Sequence, residues 1–209
     1  HWPDDAPVVN ELPALQNGYV TFGSFNKSAK INPDTLSLWV RVLQRVPDSR
    51  LFLKGAGLAI KDVVQGITKF FSDRGVSAER VRFEGSSSHK KVLEDYEQID
   101  IALDPIPYSG GLTTCEALWM GIPVITLPGE TFSSRHTASH LTNVGMADWV
   151  TETPDPYVEK AVCWAEHLQD LAKVRAKLRD RVASSPLCDA SRFSKNLEAA
   201  FRTMLGDIN

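Results

Sequence analysis

Residues 104–128 read DPIPYSGGLTTCEALWMGIPVITLP, and this stretch decides the fold class. It gives a turn around Tyr108 to Gly111, a helix that opens on two threonines, and an apolar run that ends at Pro128. A glycine turn that leads into a helix leaves backbone N–H groups without partners, and the helix dipole favours negative charge there. The stretch therefore predicts a strand, a turn, a helix and a second strand, with a phosphate-type anion site at the turn.

Short β-rich runs alternate with helical runs on both sides of this stretch. Strands are predicted over residues 19–25, 50–54, 80–84, 99–103 and 123–127, with a weaker one over 148–150. Strands that alternate with helices predict right-handed crossovers and a parallel sheet covered on both faces. The expected fold class is therefore α/β, a doubly wound, Rossmann-like parallel sheet with a C-terminal helical tail.

The chain divides by composition into three expected regions. Residues 1–17 are broken by prolines and predict an extended arm or linker, and residues 18–154 are expected to form the Rossmann-like domain that binds a nucleotide-linked ligand. Residues 155–209 carry long amphipathic helices, over 155–182 and 190–205, which are expected to pack on the same domain. The chain starts at His1 without an initiator methionine, so we expect it to be a piece of a longer protein.

The composition is that of an ordinary globular protein, with 43% apolar and 23% charged residues among 209. A net charge of −3 gives no reason to expect nucleic-acid binding. No apolar run approaches the roughly 18 residues of a membrane helix, so no membrane partner is expected. Three cysteines are too few and too scattered for a disulfide framework or a metal site, which favours reduced thiols and a cytoplasmic location.

Ligands of open parallel sheets bind outside the carboxyl ends of the strands, near the switch in strand order. The first predicted strand is followed by Lys27 and Lys30, just before a helix that starts at Asn32 with Pro33 in its first turn. A cation beside a helix N-terminus is unfavourable unless an anion accompanies it. Lys30 is therefore a candidate anion ligand.

The other strand ends contribute further candidates. The third strand leads to Ser87 and His89, and the fourth leads to the sites in the opening stretch, which are Gly110, Gly111, Leu112, Thr113 and Glu116. Plainer interpretations stay open for several of them. The glycine pair also suits a simple tight loop, Thr113 a cap of its own helix, and His89 a flexible loop.

Three segments together resemble the O-GlcNAc transferase family, including its SPINDLY-like branch and bacterial tetratricopeptide-linked relatives. They are TFGSFNKSAKINPDTLSLW (21–39), LDPIPYSGGLTTCEALWMGIPVITLPG (103–129) and SRHTASHLTNVG (134–145). The resemblance runs from about Leu12 to Met204. It covers the C-terminal Rossmann-like half of a GT-B glycosyltransferase, whose N-terminal catalytic half and tetratricopeptide array would precede His1.

The resemblance implies an inverting, metal-independent transfer of a sugar from a nucleotide sugar to Ser or Thr of a protein. The expected donor is UDP-GlcNAc, with the GDP-fucose of the SPINDLY type as the alternative, and neither a cofactor nor a metal is expected. The protein acceptor would bind the N-terminal regions. By itself, the chain is therefore expected to bind donor and to transfer nothing.

Site residues follow from the same resemblance. Lys30 corresponds to the catalytic lysine that contacts the donor diphosphate and stabilises the leaving group, and Lys27 lies where the family has a glutamine near the same phosphates. Thr113 corresponds to a phosphate-binding threonine, and Glu116 to the acid that holds the ribose hydroxyls. The loop around Ser87 resembles the one whose backbone contacts the base.

Three positions depart from the family pattern. Val92 stands where the family has a base-stacking histidine, with His89 three residues earlier. Gly111 replaces a histidine and Leu112 a threonine of the animal enzymes. The base and sugar therefore stay open between the two donors.

Two other interpretations compete. One is a non-catalytic GT-B-like binding module kept for assembly, which would not require the set of Lys30, Thr113 and Glu116. The other is an NAD-dependent Rossmann enzyme. It is disfavoured because no G-x-G-x-x-G follows the first strand and no acid ends the second.

Overall fold

The computed structural model describes residues 6–206 of the chain. Its centre is a parallel sheet in the order β3-β2-β1-β4-β5. The strands are β1 (Thr21–Ser24), β2 (Arg50–Lys54), β3 (Val81–Glu84), β4 (Ile101–Leu103) and β5 (Val124–Ile125). Each lies within a strand predicted from the sequence, and the α/β doubly wound prediction is confirmed.

The order of the strands reverses beside β1. The chain adds β2 and β3 on one side of β1, then crosses over and adds β4 and β5 on the other side. Phe22 of β1 is in register with Leu51 of β2 and with Ile101 of β4. The segments that follow β1 and β4 therefore leave the sheet side by side, at the switch point where such folds bind ligands.

Helices cover the sheet. They are α1 (Pro13–Asn17), α2 (Pro33–Arg45), α3 (Lys61–Ser72), α4 (His89–Tyr96), α5 (Leu112–Trp119), α6 (His136–Asn143), α7 (Pro154–Glu166), α8 (Leu168–Ala183) and α9 (Ala190–Gly206). Helix α2 begins as predicted, because the side chain of Asn32 accepts a 2.8 Å hydrogen bond from the backbone N–H of Thr35. In residues 6–206 none of these helices has the length and apolar character needed to cross a membrane.

The predicted arm over residues 1–17 differs from what is observed. Its first five residues lie outside the described part of the chain. Pro13–Asn17 form α1 in place of an extended segment, closed by Gly18 in the left-handed conformation. Leu12 and Ala14 are buried, and the backbone N–H of Ala14 donates to the carboxylate of Asp100 over 2.9 Å. These contacts with distant residues hold the segment as a packed helix, which its own sequence did not indicate.

Two further predictions need correction. Residues 147–149 form a 3-10 turn, and the weak strand predicted over 148–150 is reduced to a single bridge between Thr126 and Val150. The single helix predicted over 155–182 is two helices, α7 and α8, which meet at His167 with φ −115° and ψ 55°. The last three residues of the predicted tail, 207–209, lie outside the described residues.

The tail is attached to the sheet domain by a buried arginine of α8. Arg175 is 1% exposed, and its guanidinium donates to the carbonyl oxygens of Asn10 at 2.8 Å and Ile99 at 2.9 Å. Burial lowers the pKa of Arg175 to about 10. Because a buried guanidinium needs all its donors paired, this one residue ties α8 to the segments before α1 and β4.

Candidate functional site

The turn after β4 is held in shape by a buried carboxylate. Asp104 accepts a 2.7 Å hydrogen bond from the backbone N–H of Gly110 and a 2.6 Å hydrogen bond from the hydroxyl of Thr126. Burial raises the pKa of Asp104 to about 6. Gly110 packs so closely that a Cβ there would lie 2.4 Å from the hydroxyl oxygen of Thr114. Glycine at this position thus serves close packing, and the turn is rigid.

Helix α5 begins directly after this turn. Gly111 is its N-cap, and within residues 6–206 no side chain caps the helix. The cap interpretation of Thr113 is therefore wrong. Its hydroxyl instead donates a 3.3 Å hydrogen bond to the side-chain oxygen of Asn26, in the segment after β1. The first N–H groups of α5 point out of the helix end, where the dipole favours an anion.

Lys30 reaches this helix end from the other side of the switch point. It closes a 3-10 turn, Ser28–Lys30, and its Nζ donates a 2.7 Å hydrogen bond to the carbonyl oxygen of Ser109. The same ammonium lies 4.3 Å from the centre of the Tyr108 ring. Burial lowers the pKa of Lys30, and the nearby carboxylate of Asp104 opposes that shift. The cation is thus held in place beside the turn.

These groups line an open cavity of about 430 Å³, which we call the switch-point cleft. Its lining residues are Asn26, Lys27, Lys30, Tyr108, Gly111, Leu112, Thr113 and His136. Five of the eight were predicted as site residues from the sequence. The other three, Asn26, Tyr108 and His136, were not among the predicted site residues. Gly110 is buried behind the lining, where it shapes the turn.

A second cavity of about 820 Å³, the Glu116 cleft, lies further along α5, and Leu112 lines both. Here Nε2 of His89, the first residue of α4, lies 2.9 Å from Oε1 of Glu116. Glu116 is 8% exposed, so burial raises its pKa while His89 opposes the shift. Both were predicted as site residues. Ser87 lies on the exposed loop before α4 and lines neither cleft.

Two other reactive side chains prove to be structural. Lys54 is 3% exposed and forms ion pairs of 2.9 Å with Glu84 and with Asp95, so it is not a ligand. Cys115 lines the Glu116 cleft, but burial raises the pKa of its thiol to about 11. A thiol with so high a pKa is a poor nucleophile, so Cys115 is assigned a packing role.

A third cavity lies at the opposite end of the strands. It has a volume of about 700 Å³, and its lining includes Tyr19, Arg50 and Arg82. Arg50 starts β2, so this cavity is at the amino ends of the strands. Ligands of open parallel sheets bind at the carboxyl ends, and the guanidinium groups of Arg50 and Arg82 already stack on the rings of Tyr19 and Phe52. We therefore assign the site to the switch-point cleft and the Glu116 cleft.

Comparison with known proteins places this chain in a family. The sequence model described as Glycosyl transferase family 41 matches residues 9–197. The Solanum lycopersicum protein named probable UDP-N-acetylglucosamine--peptide N-acetylglucosaminyltransferase SPINDLY is 38% identical over 206 residues, which cover 97% of this chain and 22% of that protein. The Caenorhabditis elegans UDP-N-acetylglucosamine--peptide N-acetylglucosaminyltransferase is 30% identical over 187 residues, 88% of this chain and 16% of its own.

Solved structures agree with the sequences. A lysine-to-methionine mutant of the Thermobaculum terrenum O-GlcNAc transferase superposes with a TM-score of 0.87 at 36% identity, over 98% of this chain and 39% of its own. Anabaena HepE, solved in complex with UDP and glucose, shares the fold with a TM-score of 0.63 at 17% identity, over 89% of this chain and 51% of its own. The chain spans about a fifth of the length of the curated relatives it matches. It belongs to glycosyl transferase family 41, with the fold of the Rossmann-like C-terminal half of a GT-B enzyme.

Proposed function

We propose that this chain is the donor-binding half of an inverting, metal-independent protein O-glycosyltransferase, and that its ligand is a nucleotide sugar. One observation carries the proposal. The ammonium of Lys30 and the N-terminal end of α5 line the same cleft, and the buried carboxylate of Glu116 follows on the same helix. A cation and a helix N-terminus suit a diphosphate, and a carboxylate suits a vicinal diol.

The spacing along α5 supports one orientation of the donor. Thr113 and Glu116 are three residues apart on the helix, a rise of about 4.5 Å. Residues three apart on a helix lie on the same side of it, so both can face one bound ligand. The diphosphate is therefore proposed to lie in the switch-point cleft, with the ribose against Glu116 and the base in the Glu116 cleft.

Lys30 is proposed to stabilise the leaving group. When the sugar departs, negative charge builds up on the diphosphate, and groups that already point at that charge lower the barrier. The ammonium of Lys30 is fixed by the carbonyl oxygen of Ser109 and the ring of Tyr108, so it requires little rearrangement when the charge develops. Lys27 lines the same cleft and adds to the positive field.

UDP-GlcNAc is the donor we propose first, because the tomato and nematode relatives carry it in their names. GDP-fucose stays the alternative, because Gly111, Leu112 and Val92 depart from the family pattern. The acceptor is proposed to be Ser or Thr of a protein, held by an N-terminal half and a tetratricopeptide array of the kind that the family resemblance implies.

Isothermal titration calorimetry on the folded chain tests the proposal. UDP, UDP-GlcNAc, GDP and GDP-fucose are titrated in parallel, with NAD as the ligand of the competing Rossmann interpretation. We expect one nucleoside diphosphate and its sugar to bind, and NAD not to bind. If a chain with the circular dichroism of a folded α/β protein binds none of the four, the proposal is wrong and the non-catalytic module is favoured.

A further inference from the structure

His136 is the histidine that lines the switch-point cleft, and no function above uses it. It is the first residue of α6, and it is half-buried. The edge of its ring contacts the ring of Phe132, with 4.6 Å between the ring centres and an angle of 85° between the planes. The imidazole therefore has a defined place in the same cavity as Lys27 and Lys30.

The start of α6 is fixed to the turn before α5. The hydroxyl of Thr137 donates a 3.1 Å hydrogen bond to the carbonyl oxygen of Gly110 and lies 2.8 Å from the hydroxyl oxygen of Thr114. All three residues are buried. His136, the neighbour of Thr137, is thus held at a fixed distance from the N-terminus of α5.

Gly111 leaves the imidazole open to the cleft. A Cβ at position 111 would lie 3.8 Å from Nδ1 of His136, which is ordinary van der Waals contact. A residue with a longer side chain at position 111 would have to share this space with the imidazole. With glycine there, Nδ1 of His136 and the first N–H groups of α5 border the same opening.

We propose that His136, as an imidazolium, is a further diphosphate-binding residue. It acts together with Lys30, from its position at the start of α6. The inference rests on the proposed function, since it needs a diphosphate in the switch-point cleft. Histidine is the side chain whose charge changes near neutral pH, so a dianionic ligand would bind together with a proton. Donor affinity would then depend on pH through a residue outside the sequence-predicted site.

The charged groups around His136 favour this coupling. Lys27 and Lys30 line the cleft with it, and Asp104 lies buried behind the Gly110 turn. His140, one turn further along α6, has its pKa lowered by burial and by the proximity of His136. A bound diphosphate would place negative charge beside the imidazole, and an opposite charge nearby favours the protonated form.

Calorimetry on the 209-residue chain with three histidine variants tests the inference. The ligand is the nucleotide sugar that binds best, because its diphosphate is a diester and keeps the same charge over the range used. His136→Ala removes the imidazole, and His136→Asn keeps a hydrogen-bonding group that cannot be protonated. His167→Ala is the matched control, since His167 is exposed at the junction of α7 and α8.

At about pH 6.5, near the titration range of histidine, we expect both His136 variants to bind roughly tenfold more weakly than wild type. At about pH 8.5 we expect a loss of less than about twofold. His167→Ala should match wild type at both values. Comparing variants with wild type cancels the titration of groups that His136 does not influence, including Glu116. The matching nucleoside, uridine or guanosine, has no phosphate and should bind all four proteins equally.

Three results would overturn the inference. If His136→Ala binds as well as wild type at both pH values, the imidazole does not touch the diphosphate. Equal losses at both pH values would exclude a charged imidazolium. An equal loss of affinity for the matching nucleoside would show that the residue only supports the structure. A wild-type chain that binds no nucleotide sugar would overturn the proposed function as well, so the two failures are distinguishable.

Discussion

Nζ of Lys30 donates a 2.7 Å hydrogen bond to the carbonyl oxygen of Ser109, which lies 79 residues further along the chain. The bond joins the segment after β1 to the turn after β4, across the point where the strand order reverses. The hydroxyl of Thr113 makes a second connection of the same kind to Asn26. These two contacts build one cleft from two distant stretches of sequence.

Lys30→Met should weaken diphosphate binding selectively. The change keeps much of the side chain's bulk and removes the charge. A hydrogen bond to a charged group contributes about 1.5–3 kcal/mol, so we expect the affinity for UDP or GDP to fall about 10- to 100-fold. The nucleoside should bind as before. Lys61→Met, on an exposed residue of α3, is the matched control. Equal losses of nucleoside and diphosphate affinity would show that Lys30 does not contact phosphate.

Glu116→Gln should weaken nucleoside and nucleotide binding alike. The ribose hydroxyls would lose a carboxylate acceptor, and we expect about a tenfold loss for both ligands. Burial raises the pKa of Glu116, so the wild-type carboxylate gains a proton at a higher pH than an ordinary glutamate. The ratio of wild-type to variant affinity should therefore shrink as the pH falls towards that raised pKa. Glu152→Gln, at an exposed site, is the control for calorimetry. A ratio that grows on acidification would contradict this role.

Gly110→Ala should destabilise the fold, and Gly111→Ala should not. A Cβ at 110 would lie 2.4 Å from the hydroxyl oxygen of Thr114 and 3.2 Å from the carboxylate of Asp104, whereas a Cβ at 111 would have 3.8 Å to its nearest neighbour. Overpacking of this kind costs about 1–3 kcal/mol. Thermal unfolding by calorimetry compares the two adjacent variants directly. The same melting temperature for both would mean that the turn around Gly110 relaxes freely.

Asp104→Asn should cost more stability in acid than at neutral pH. The folded-state pKa of Asp104 is raised to about 6, against about 3.9 for an unfolded aspartate. Its stabilising contribution is therefore complete below about pH 4 and is lost as the pH rises through about 6. Chemical denaturation should show a loss about 2 kcal/mol greater near pH 4.5 than near pH 7.5. A greater loss near pH 7.5 would mean that the donors from Gly110 and Thr126 outweigh the cost of burial.

Much of the fold was predictable because local signals and topology agree. Asn32 and Pro33 fix the start of α2 by capping, and the apolar runs around Ile101 and Val124 mark strands buried on both faces. The break at His167 was not predictable, because the amphipathic pattern continues through it. Helix α1 was also missed, since Ala14 is held by Asp100, a partner 86 residues away.

The candidate site was predicted in part for the same reason. Lys30, Thr113 and Glu116 each stand beside a strand end or a helix start, where residue type alone indicates a ligand. Tyr108 and His136 were not predicted, because their importance depends on contacts between separate elements. Tyr108 matters because Lys30 crosses the switch point to lie on its ring, and His136 because Thr137 anchors α6 to Gly110. Lys54 shows the reverse case, since burial between Glu84 and Asp95 makes a strand-end lysine structural.

A crystal structure of the chain with the nucleoside diphosphate that binds best tests the central claim most directly. We expect the diphosphate in the switch-point cleft, with its oxygens within hydrogen-bonding distance of Lys30 Nζ and the first N–H groups of α5, and the ribose hydroxyls on Glu116. A nucleotide bound instead beside Tyr19 and Arg50, in the cavity at the amino ends of the strands, would contradict it.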